Sequence, residues 1–254
     1  MYLIVDSGST KSDWYSIDDA GHILFSTQTL GLNPHVLSSS ILNERIINNF
    51  TLFKNRNSVK KIFFYGAGCG IFSSQERIKK VFKKIFVNSD FDIKEDTYAA
   101  VYSTAELSKE SIVCIMGTGS NCSYFDGNKI HQKVVSLGYI LMDEASGNFY
   151  GKQLIRSYYF NLLPKKIASK FKKQYDLSPD TIKDKIYRNE NPNSYLAKFA
   201  KFLIEHKKDP FLRDMIFKGM RRFINHQILQ FENANEIPVH FVGSISFFLR
   251  DELE

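Results

Sequence analysis

Two short loops of glycine and hydroxyl residues, each directly after an apolar run, constrain the fold of this chain more than any other feature. The first, Asp6-Ser7-Gly8-Ser9-Thr10-Lys11, follows residues 2–5, and the second, Gly117-Thr118-Gly119-Ser120-Asn121, follows residues 112–116. A strand that ends in such a turn points backbone N–H groups and hydroxyls at one spot, where they can hold a phosphate chain. Each loop alone is equally typical of an ordinary hairpin turn. Because both occur, with an acid at the end of the first strand, the pattern predicts two domains that bind one nucleotide from opposite sides.

Length and composition limit the class of protein. The chain has 254 residues, which fits one large domain or two of ordinary size. Hydrophobic residues make up 43% of it and charged residues 24%, values typical of a soluble globular protein. No apolar stretch reaches the ~18 residues that span a bilayer, and Asp6 interrupts the apolar run that a signal peptide would need. We therefore expect a cytoplasmic protein with no membrane partner.

The net charge of +7 allows a nucleic-acid partner, but the placement of the lysines favours a simpler explanation. Two segments mix basic and apolar residues as an amphipathic helix with a solvated basic face does. Their lysines are Lys79, Lys80, Lys83 and Lys84 in the first segment and Lys165, Lys166, Lys170, Lys172 and Lys173 in the second. No nucleic-acid-binding motif accompanies them. We expect no nucleic-acid partner, although a mild positive field would attract an anionic nucleotide.

The three cysteines predict neither a disulfide framework nor a zinc site. Cys69, Cys114 and Cys122 form no CxxC pair, and the six histidines are scattered along the chain. An odd number of cysteines without a secretion signal indicates reduced thiols.

The order of predicted elements indicates an α/β protein with mixed sheets flanked by helices. In the first half, strands are predicted at residues 2–5, 12–17, 23–29, 61–65 and 91–94. Helices are predicted in three places: where Leu42, Ile46, Phe50 and Phe53 recur, in the segment that contains Lys79 to Lys84, and over residues 97–107. The second half opens in the same way, with strands at 112–116, 121–125 and 129–132, which favours an internal duplication.

Beyond this second hairpin, the chain is predicted to be mainly helical from 147 to 232, with a last strand at 237–242. Four prolines stand at plausible helix starts: Pro164, Pro179, Pro192 and Pro210. We place the domain boundary near residues 108–111, which gives an N-terminal domain of residues 1–109 and a C-terminal domain of residues 110–254 with a helical insertion.

Several polar residues are candidates for a site, and each also has a plain structural explanation. Asp6 suits Mg²⁺ or caps a turn, and Lys11 contacts phosphate or is solvated. Asp96 follows a strand and precedes a predicted helix, and the residues alone favour its use as a helix cap. Asp143 and Glu144 are adjacent acids in a glycine-flanked loop, a pair that a helix N-terminus would favour.

The motifs together resemble the N-acetylglucosamine kinase family of the sugar kinase and actin-like ATPase superfamily, a branch of which is grouped with the ATPase subunits of benzoyl-CoA reductase. The two glycine loops are similar to the family's two phosphate loops. The segment Leu137-Gly-Tyr-Ile-Leu-Met-Asp-Glu-Ala-Ser-Gly147 resembles a loop that many members write LGYILGDEGSG, and Val242-Gly-Ser244 resembles the adenosine loop. The resemblance runs from Met1 nearly to the end of the sequence.

The resemblance implies a two-domain actin-like ATPase fold of ribonuclease H-like type and an ATP-dependent kinase for an amino sugar, most simply N-acetylglucosamine. It implies ATP and Mg²⁺ as cofactors, with Asp96 as the catalytic base and Asp6 at the metal. It assigns the nucleotide to Gly8, Ser9, Thr10, Lys11, Gly117, Thr118, Gly119, Gly243 and Ser244. It assigns the sugar to Asn33, Ser120, Asn121, Asp143 and Glu144. The sugar, the hydroxyl that is phosphorylated and the assembly stay open, with a homodimer as one alternative.

Two other functions fit part of the pattern. The first is an ATPase that activates a partner enzyme, although such activators hold an iron–sulfur cluster through paired cysteines, and no convincing pair is seen in the sequence. The second is a non-catalytic sugar or nucleotide sensor. Met142 and Ala145 stand where the family usually has glycines, and we expect the Met142 side chain to lie at the rim of the sugar pocket or to be neutral.

Overall fold

The computed structural model describes residues 1–188 and 191–254, which form two compact units, Met1–Ala99 and Ala100–Glu254. The division falls inside a helix, somewhat before the boundary that the sequence favours. The prediction of an α/β protein with mixed sheets and flanking helices is confirmed. Within the described residues, no helix is both long and apolar enough to cross a membrane.

The first unit is a five-stranded sheet with helices. Its elements are β1 (Tyr2–Ser7), β2 (Lys11–Ile17), β3 (Ile23–Leu30), α1 (Ser39–Ile47), α2 (Phe50–Asn55), β4 (Lys61–Gly66), α3 (Phe72–Ile85), β5 (Asp90–Glu95) and the start of α4 (Asp96–Thr104). The strand order is β3-β2-β1-β4-β5. The pairs β1–β2 and β2–β3 are antiparallel, whereas β1–β4 and β4–β5 are parallel. The carboxyl ends of β1, β4 and β5 therefore lie at one edge of the sheet.

Alternation along the strands builds the core of this unit. Leu3 and Val5 of β1 point inward while Asp6 points outward, as the two-residue period of a strand requires. Trp14 of β2 is fully buried against Phe82 of α3, with ring centroids 6.2 Å apart. The buried face of α3 leaves its lysines in solvent, which confirms the predicted amphipathic helix.

One prediction for the first unit needs correction. Leu42, Ile46, Phe50 and Phe53 do not form one apolar stripe, because the chain breaks between α1 and α2. The first helix ends at Ile47 with Asn48 as its C-cap, and Asn49 caps the second, where its Oδ1 accepts the Leu52 N–H at 3.0 Å. As a result Phe50 is 77% exposed and lies outside the core.

The second unit repeats the opening of the first. Its sheet comprises β6 (Glu110–Met116), β7 (Ser120–Asp126), β8 (Ile130–His131) and β9 (Val239–Val242) in the order β8-β7-β6-β9. The hairpin β6–β7 is antiparallel and β9 is parallel to β6, as β1–β2 and β4 are in the first unit. Each unit thus places a glycine loop at the turn of its leading hairpin, which supports the predicted duplication.

Helices cover most of the remaining chain. They are α5 (Gly147–Tyr159), α6 (Lys165–Gln174), α7 (Pro179–Tyr187), α8 (Pro192–Ala197), α9 (Ala200–Glu205), α10 (Pro210–His226), α11 (Ser244–Phe248) and α12 (Arg250–Leu253). Three of the four prolines open their helices at the first turn, and Pro164 immediately precedes α6, as predicted. The main core of the unit lies between these helices and one face of the sheet, and α4 packs Val101 on the other face.

Three element ends differ from the sequence-based prediction for local reasons. The helix α4 ends at Thr104, before Ser108, whose φ is +72°. The strand β8 is short because the Asp126 carboxylate accepts the Lys129 N–H at 2.6 Å and holds a turn. The strand β9 begins after Pro238, which has no N–H to donate to the sheet.

Candidate active site

The first glycine loop, residues 8–11, is a tight turn between β1 and β2. The Gly8 N–H donates to the Lys11 carbonyl at 3.0 Å, and the Gly31 N–H donates to the Thr10 carbonyl at 3.0 Å. A β-carbon on Gly31 would overlap the backbone of Gly8 and Ser9. Only glycine therefore lets the chain after β3 run directly beneath this loop.

Two buried serines connect this turn to the chain after β3, and the sequence analysis did not single them out. The hydroxyls of Ser7 and Ser12 lie 2.7 Å apart, and the Ser7 oxygen accepts the Leu32 N–H at 3.0 Å. Both serines have no exposed surface. Their signal in the sequence is a hydroxyl residue at an inward position of a strand, which needs a partner because burying an unpaired polar group is costly.

Acids and one lysine gather beside the first loop. Asp6 lies directly opposite Asp13 in the β1–β2 register, and Lys11 Nζ lies 2.7 Å from Asp13 Oδ2. Although part of its surface is exposed, desolvation is the main cause that raises the pKa of Asp6; Asp13 raises it further and Lys11 lowers it. A carboxylate whose ionisation is disfavoured in this way suits a cation. Asp13, which the sequence analysis did not single out, pairs with Lys11.

Asp96 begins α4 directly after β5, at the edge of the sheet where β1 also ends. Burial raises the pKa of its carboxyl to about 7, and the neighbouring charges of Glu95 and Asp6 add to the rise. Its own N–H and that of Thr97 act in the opposite direction by hydrogen bonding to the carboxylate. Asp96 therefore makes the hydrogen bonds of a helix cap and also has the proton affinity that suits a base near neutral pH.

Glu95 is a second acid at this position that the sequence analysis did not assign. Its carboxylate lies against Gly70 and accepts a hydrogen bond from the Thr97 hydroxyl at 3.5 Å. Burial raises its pKa. Glu95 and Asp96 also contribute to raising the pKa of the Cys69 thiol to about 12, after burial as the largest cause.

Asn33 lies on the other side of the loop formed by residues 66–70. Its Oδ1 accepts the His35 N–H at 2.9 Å, and Gly68, with φ +78°, packs against its amide. A side chain on Gly68 would overlap that amide. The first unit thus places Asn33 and the acids Glu95 and Asp96 around one glycine-rich loop.

In the second unit, the second glycine loop, residues 117–120, joins β6 to β7. The Gly117 N–H donates to the Gly119 carbonyl at 2.9 Å. Gly243 follows β9, and its φ of +116° brings its Cα against the Met116 carbonyl, where a β-carbon would overlap. Gly243 and Ser244 therefore lie immediately beside the second glycine loop.

Asp143 and Ser120 connect this loop to the segment before α5. Asp143 is 8% exposed, and its carboxylate accepts the Asn148 amide at 2.9 Å and the Ser120 N–H. Desolvation raises its pKa, while these hydrogen bonds lower it. The Ser120 hydroxyl donates to the Glu144 carbonyl at 2.8 Å.

The other predicted sugar ligands of this unit are less closely grouped. Asn121 lies on the opposite face of the sheet from Ser120, because neighbouring strand residues alternate, and it accepts a hydrogen bond from Gln132 at 3.4 Å. The structure thus brings Ser120, Asp143 and the backbone of Glu144 together and separates them from Asn121.

Within residues 1–188 and 191–254, no three His, Cys, Asp or Glu side chains are grouped so as to hold a metal ion by themselves. Mg²⁺ in kinase sites commonly uses one or two carboxylates and takes its other ligands from phosphates and water. The Asp6 carboxylate fits that use.

Comparison with known proteins identifies the family. No protein-family model matches the sequence, and no curated protein does. Among solved structures, a candidate N-acetylglucosamine kinase from Porphyromonas gingivalis is 30% identical, with a TM-score of 0.89 over 100% of this chain and 89% of its own. The chain belongs to the N-acetylglucosamine kinase family. It is therefore a member of a family of ATP-dependent sugar kinases with the actin-like ATPase fold, as the motifs predicted.

Two more distant structures share the fold of this kinase. A candidate N-acetylglucosamine kinase from Chromobacterium violaceum is 14% identical, with a TM-score of 0.68 over 100% of this chain and 90% of its own. A ROK-family glucokinase from Streptomyces griseus, solved with glucose and AMPPNP, is 15% identical, with a TM-score of 0.64 over 99% and 87%.

The kinase departs from the usual family glycines at two positions, and the structure separates them. Met142 has no left-handed backbone, and its sulfur accepts the Leu137 N–H at 3.4 Å. Ala145, by contrast, is fully buried with φ +57°, next to Asp143 with φ +70°. The departure that strains the loop is therefore Ala145, because non-glycine residues pay a steric penalty in this region.

Proposed function

We propose that this kinase transfers the γ-phosphoryl group of ATP to a hydroxyl of an amino sugar, with N-acetylglucosamine as the preferred substrate. The observation that carries the proposal is the carboxyl of Asp96, which stands at the end of β5 with a pKa raised to about 7. Phosphoryl transfer to an alcohol needs a group that accepts the hydroxyl proton and aligns the oxygen. The choice of sugar follows the relative from Porphyromonas gingivalis, which is described as a candidate N-acetylglucosamine kinase.

The remaining residues would bind and orient the substrates. We assign the phosphates of ATP to the two glycine loops, through Gly8, Ser9 and Thr10 in the first and through Gly117, Thr118 and Gly119 in the second. Lys11 would exchange its contact with Asp13 for one with phosphate. Gly243 and Ser244 would contact the nucleoside.

Asn33 is assigned to the sugar in the first unit, and Ser120, Asn121, Asp143 and Glu144 are its candidate ligands in the second. Asp6 would hold Mg²⁺, which neutralises charge on the phosphates when bound. Because Asp143 already accepts two hydrogen bonds inside the protein, only the remaining lone pairs of its carboxylate would be available to the sugar.

The cysteines argue against a function as an activator with a shared iron–sulfur cluster. The sequence shows no pair, yet Cys114 and Cys122 face each other across β6 and β7, with their sulfurs 3.5 Å apart. All three cysteines are buried, however, whereas a cluster shared between subunits needs ligands at the surface. A protein with an iron–sulfur cluster is brown, so a colourless protein after aerobic purification would support the kinase over the activator.

ATP consumption over a panel of amino sugars and neutral hexoses tests the proposal, with the phosphorylated sugar identified by mass. We expect the highest kcat/KM for N-acetylglucosamine. Asp96→Asn should lower kcat by roughly 10²–10⁴ while the dissociation constants of ATP and sugar stay near those of the parent. ATP turnover that no sugar stimulates would reject the kinase, and near-normal turnover by Asp96→Asn would leave this residue as a cap only.

A further inference from the structure

Asn148, near the start of α5, makes more contacts to the second glycine loop than the sequence suggests. Its side-chain amide donates to the Thr118 carbonyl at 2.7 Å and to Asp143 Oδ2 at 2.9 Å. Its backbone N–H donates to the same Thr118 carbonyl at 3.0 Å. The residue has no exposed surface. One side chain therefore joins the loop that follows β6 to the acid that precedes α5.

The chemistry of the amide makes this position specific for asparagine. Both neighbours of the Nδ2 atom are acceptors, so the amide can face them only with its two N–H donors. Its Oδ1 is buried and has no hydrogen-bond partner among the described residues. A buried unpaired acceptor is unfavourable, so the gain at this position comes from the two donated hydrogen bonds.

The segment that Asn148 holds is strained. Asp143 and Ala145 both have left-handed backbone, and such residues persist only when their surroundings hold them there. Asp143 in turn accepts the Ser120 N–H, and Gly119 lies against its carboxylate, where a β-carbon would be too close. The shape of the second glycine loop thus depends on the position of the Asp143 carboxylate, which Asn148 sets.

We propose that Asn148 is a positioning residue that holds the second glycine loop in the shape that binds nucleotide phosphate. It acts through Thr118 and Asp143 and touches no substrate itself. The assignment rests on the proposed function for its nucleotide, but the effect on the loop can be measured without any ligand.

Asn148→Leu removes both donors at similar size and adds no charge beside Asp143. Asn148→Ser, which keeps one short donor, serves if the first variant folds poorly. The matched control is Asn225→Leu, the same change at an exposed position of α10 in the same unit. Hydrogen exchange of the ligand-free proteins is followed by mass spectrometry over residues 115–125 and, as a reference that contains neither substitution, over residues 165–174.

We expect exchange over residues 115–125 to accelerate about tenfold in Asn148→Leu, and less in Asn148→Ser, because hydrogen bonds to the loop are lost. Residues 165–174 should be unchanged, and Asn225→Leu should match the parent in both segments. The dissociation constant of ATP should rise by a similar factor; it is measured without sugar, because Asn148 also contacts Asp143, a proposed sugar ligand. Unchanged exchange in the loop, or faster exchange with unchanged affinity for ATP, would overturn the proposal. A parent protein that binds no ATP would reject the proposed function, and the exchange data would still decide whether Asn148 holds the loop.

Discussion

Asp96 differs from an ordinary surface aspartate because burial and two neighbouring acids oppose its ionisation. Glu95 is the nearer of these in sequence, and it lies against Gly70 with no ion pair to a lysine or arginine among the described residues. Its charge contributes to the raised pKa of Asp96 after burial, the larger cause. At the scale of single residues, the proton affinity of the proposed base is therefore set partly by the residue that precedes it.

Glu95→Gln should lower the pKa of Asp96, because it removes one of the charges that oppose ionisation. In the parent, kcat/KM should rise with pH as Asp96 loses its proton, with a midpoint near the pKa of about 7. In Glu95→Gln the midpoint should move to lower pH. Asp92→Asn, the same change on the same strand at a residue that pairs with Lys94, should leave the midpoint in place. Equal midpoints in the parent and in Glu95→Gln would show that Glu95 has no electrostatic effect on the base.

The elements of the second unit meet where β6 and β9 end. Because these strands are parallel neighbours, Ile115 pairs with Val242, and the loops that follow them start side by side. Gly243 can follow this path since it has φ +116° and no side chain to overlap the Met116 carbonyl. The contact of two elements, rather than either loop alone, brings the proposed adenosine and phosphate segments together.

Gly243→Ala should destabilise this contact, because its β-carbon would overlap backbone and its φ is unfavourable for alanine. We expect a loss of roughly 1–3 kcal/mol in the free energy of unfolding and weaker binding of ATP. The control is Gly117→Ala in the neighbouring loop, where a β-carbon meets no atom within 4 Å and φ is ordinary. Chemical denaturation of both variants measures the difference, and equal stability would mean that the backbone at Gly243 adapts without cost.

At the scale of the whole molecule, acids with raised pKa values affect how stability depends on pH. Burial is the first cause for each of Asp6, Glu95, Asp96 and Asp143. A folded-state pKa above the unfolded value means that the folded protein holds its proton more tightly. The contribution of such an acid to the free energy of unfolding is then fully present below its unfolded pKa, and it is lost as pH rises through its folded pKa.

For Asp96 this window runs from the ordinary value of 3.8 to about 7. Asp96→Asn removes the titration, so the Tm of Asp96→Asn minus that of the parent should increase from pH 5 to pH 8 in the absence of nucleotide and metal. The control is Asp176, whose pKa is lowered by hydrogen bonds from the Ser178 N–H and the Thr181 hydroxyl, so that it is ionised throughout that window. The same difference for Asp176→Asn should stay flat, and a flat difference for Asp96→Asn would mean that its folded pKa is not raised.

The sequence by itself determined the kinds of element and the nature of the loops. Two-residue alternation in the strands, prolines at helix starts and glycine with hydroxyl residues after apolar runs are local signals, and each acts through the backbone of a few neighbouring residues. For that reason the two hairpins and the lysine-rich helix α3 were predictable. Local signals gave Asp96 only as a helix cap, and its proposed role as a base came from the family resemblance. The family also followed, since its motifs occur in order.

Only the tertiary structure decided which side chains share an environment. Pairing placed Asp13 opposite Asp6, packing placed Gly70 against the Glu95 carboxylate, and burial in the second unit joined Asn148 to Asp143. A residue such as Asn148 gives no local signal, because its partners Thr118 and Asp143 are brought to it only by folding. Electrostatic shifts and buried hydrogen bonds depend on distances across the fold, whereas helix and strand signals depend on neighbours along the chain.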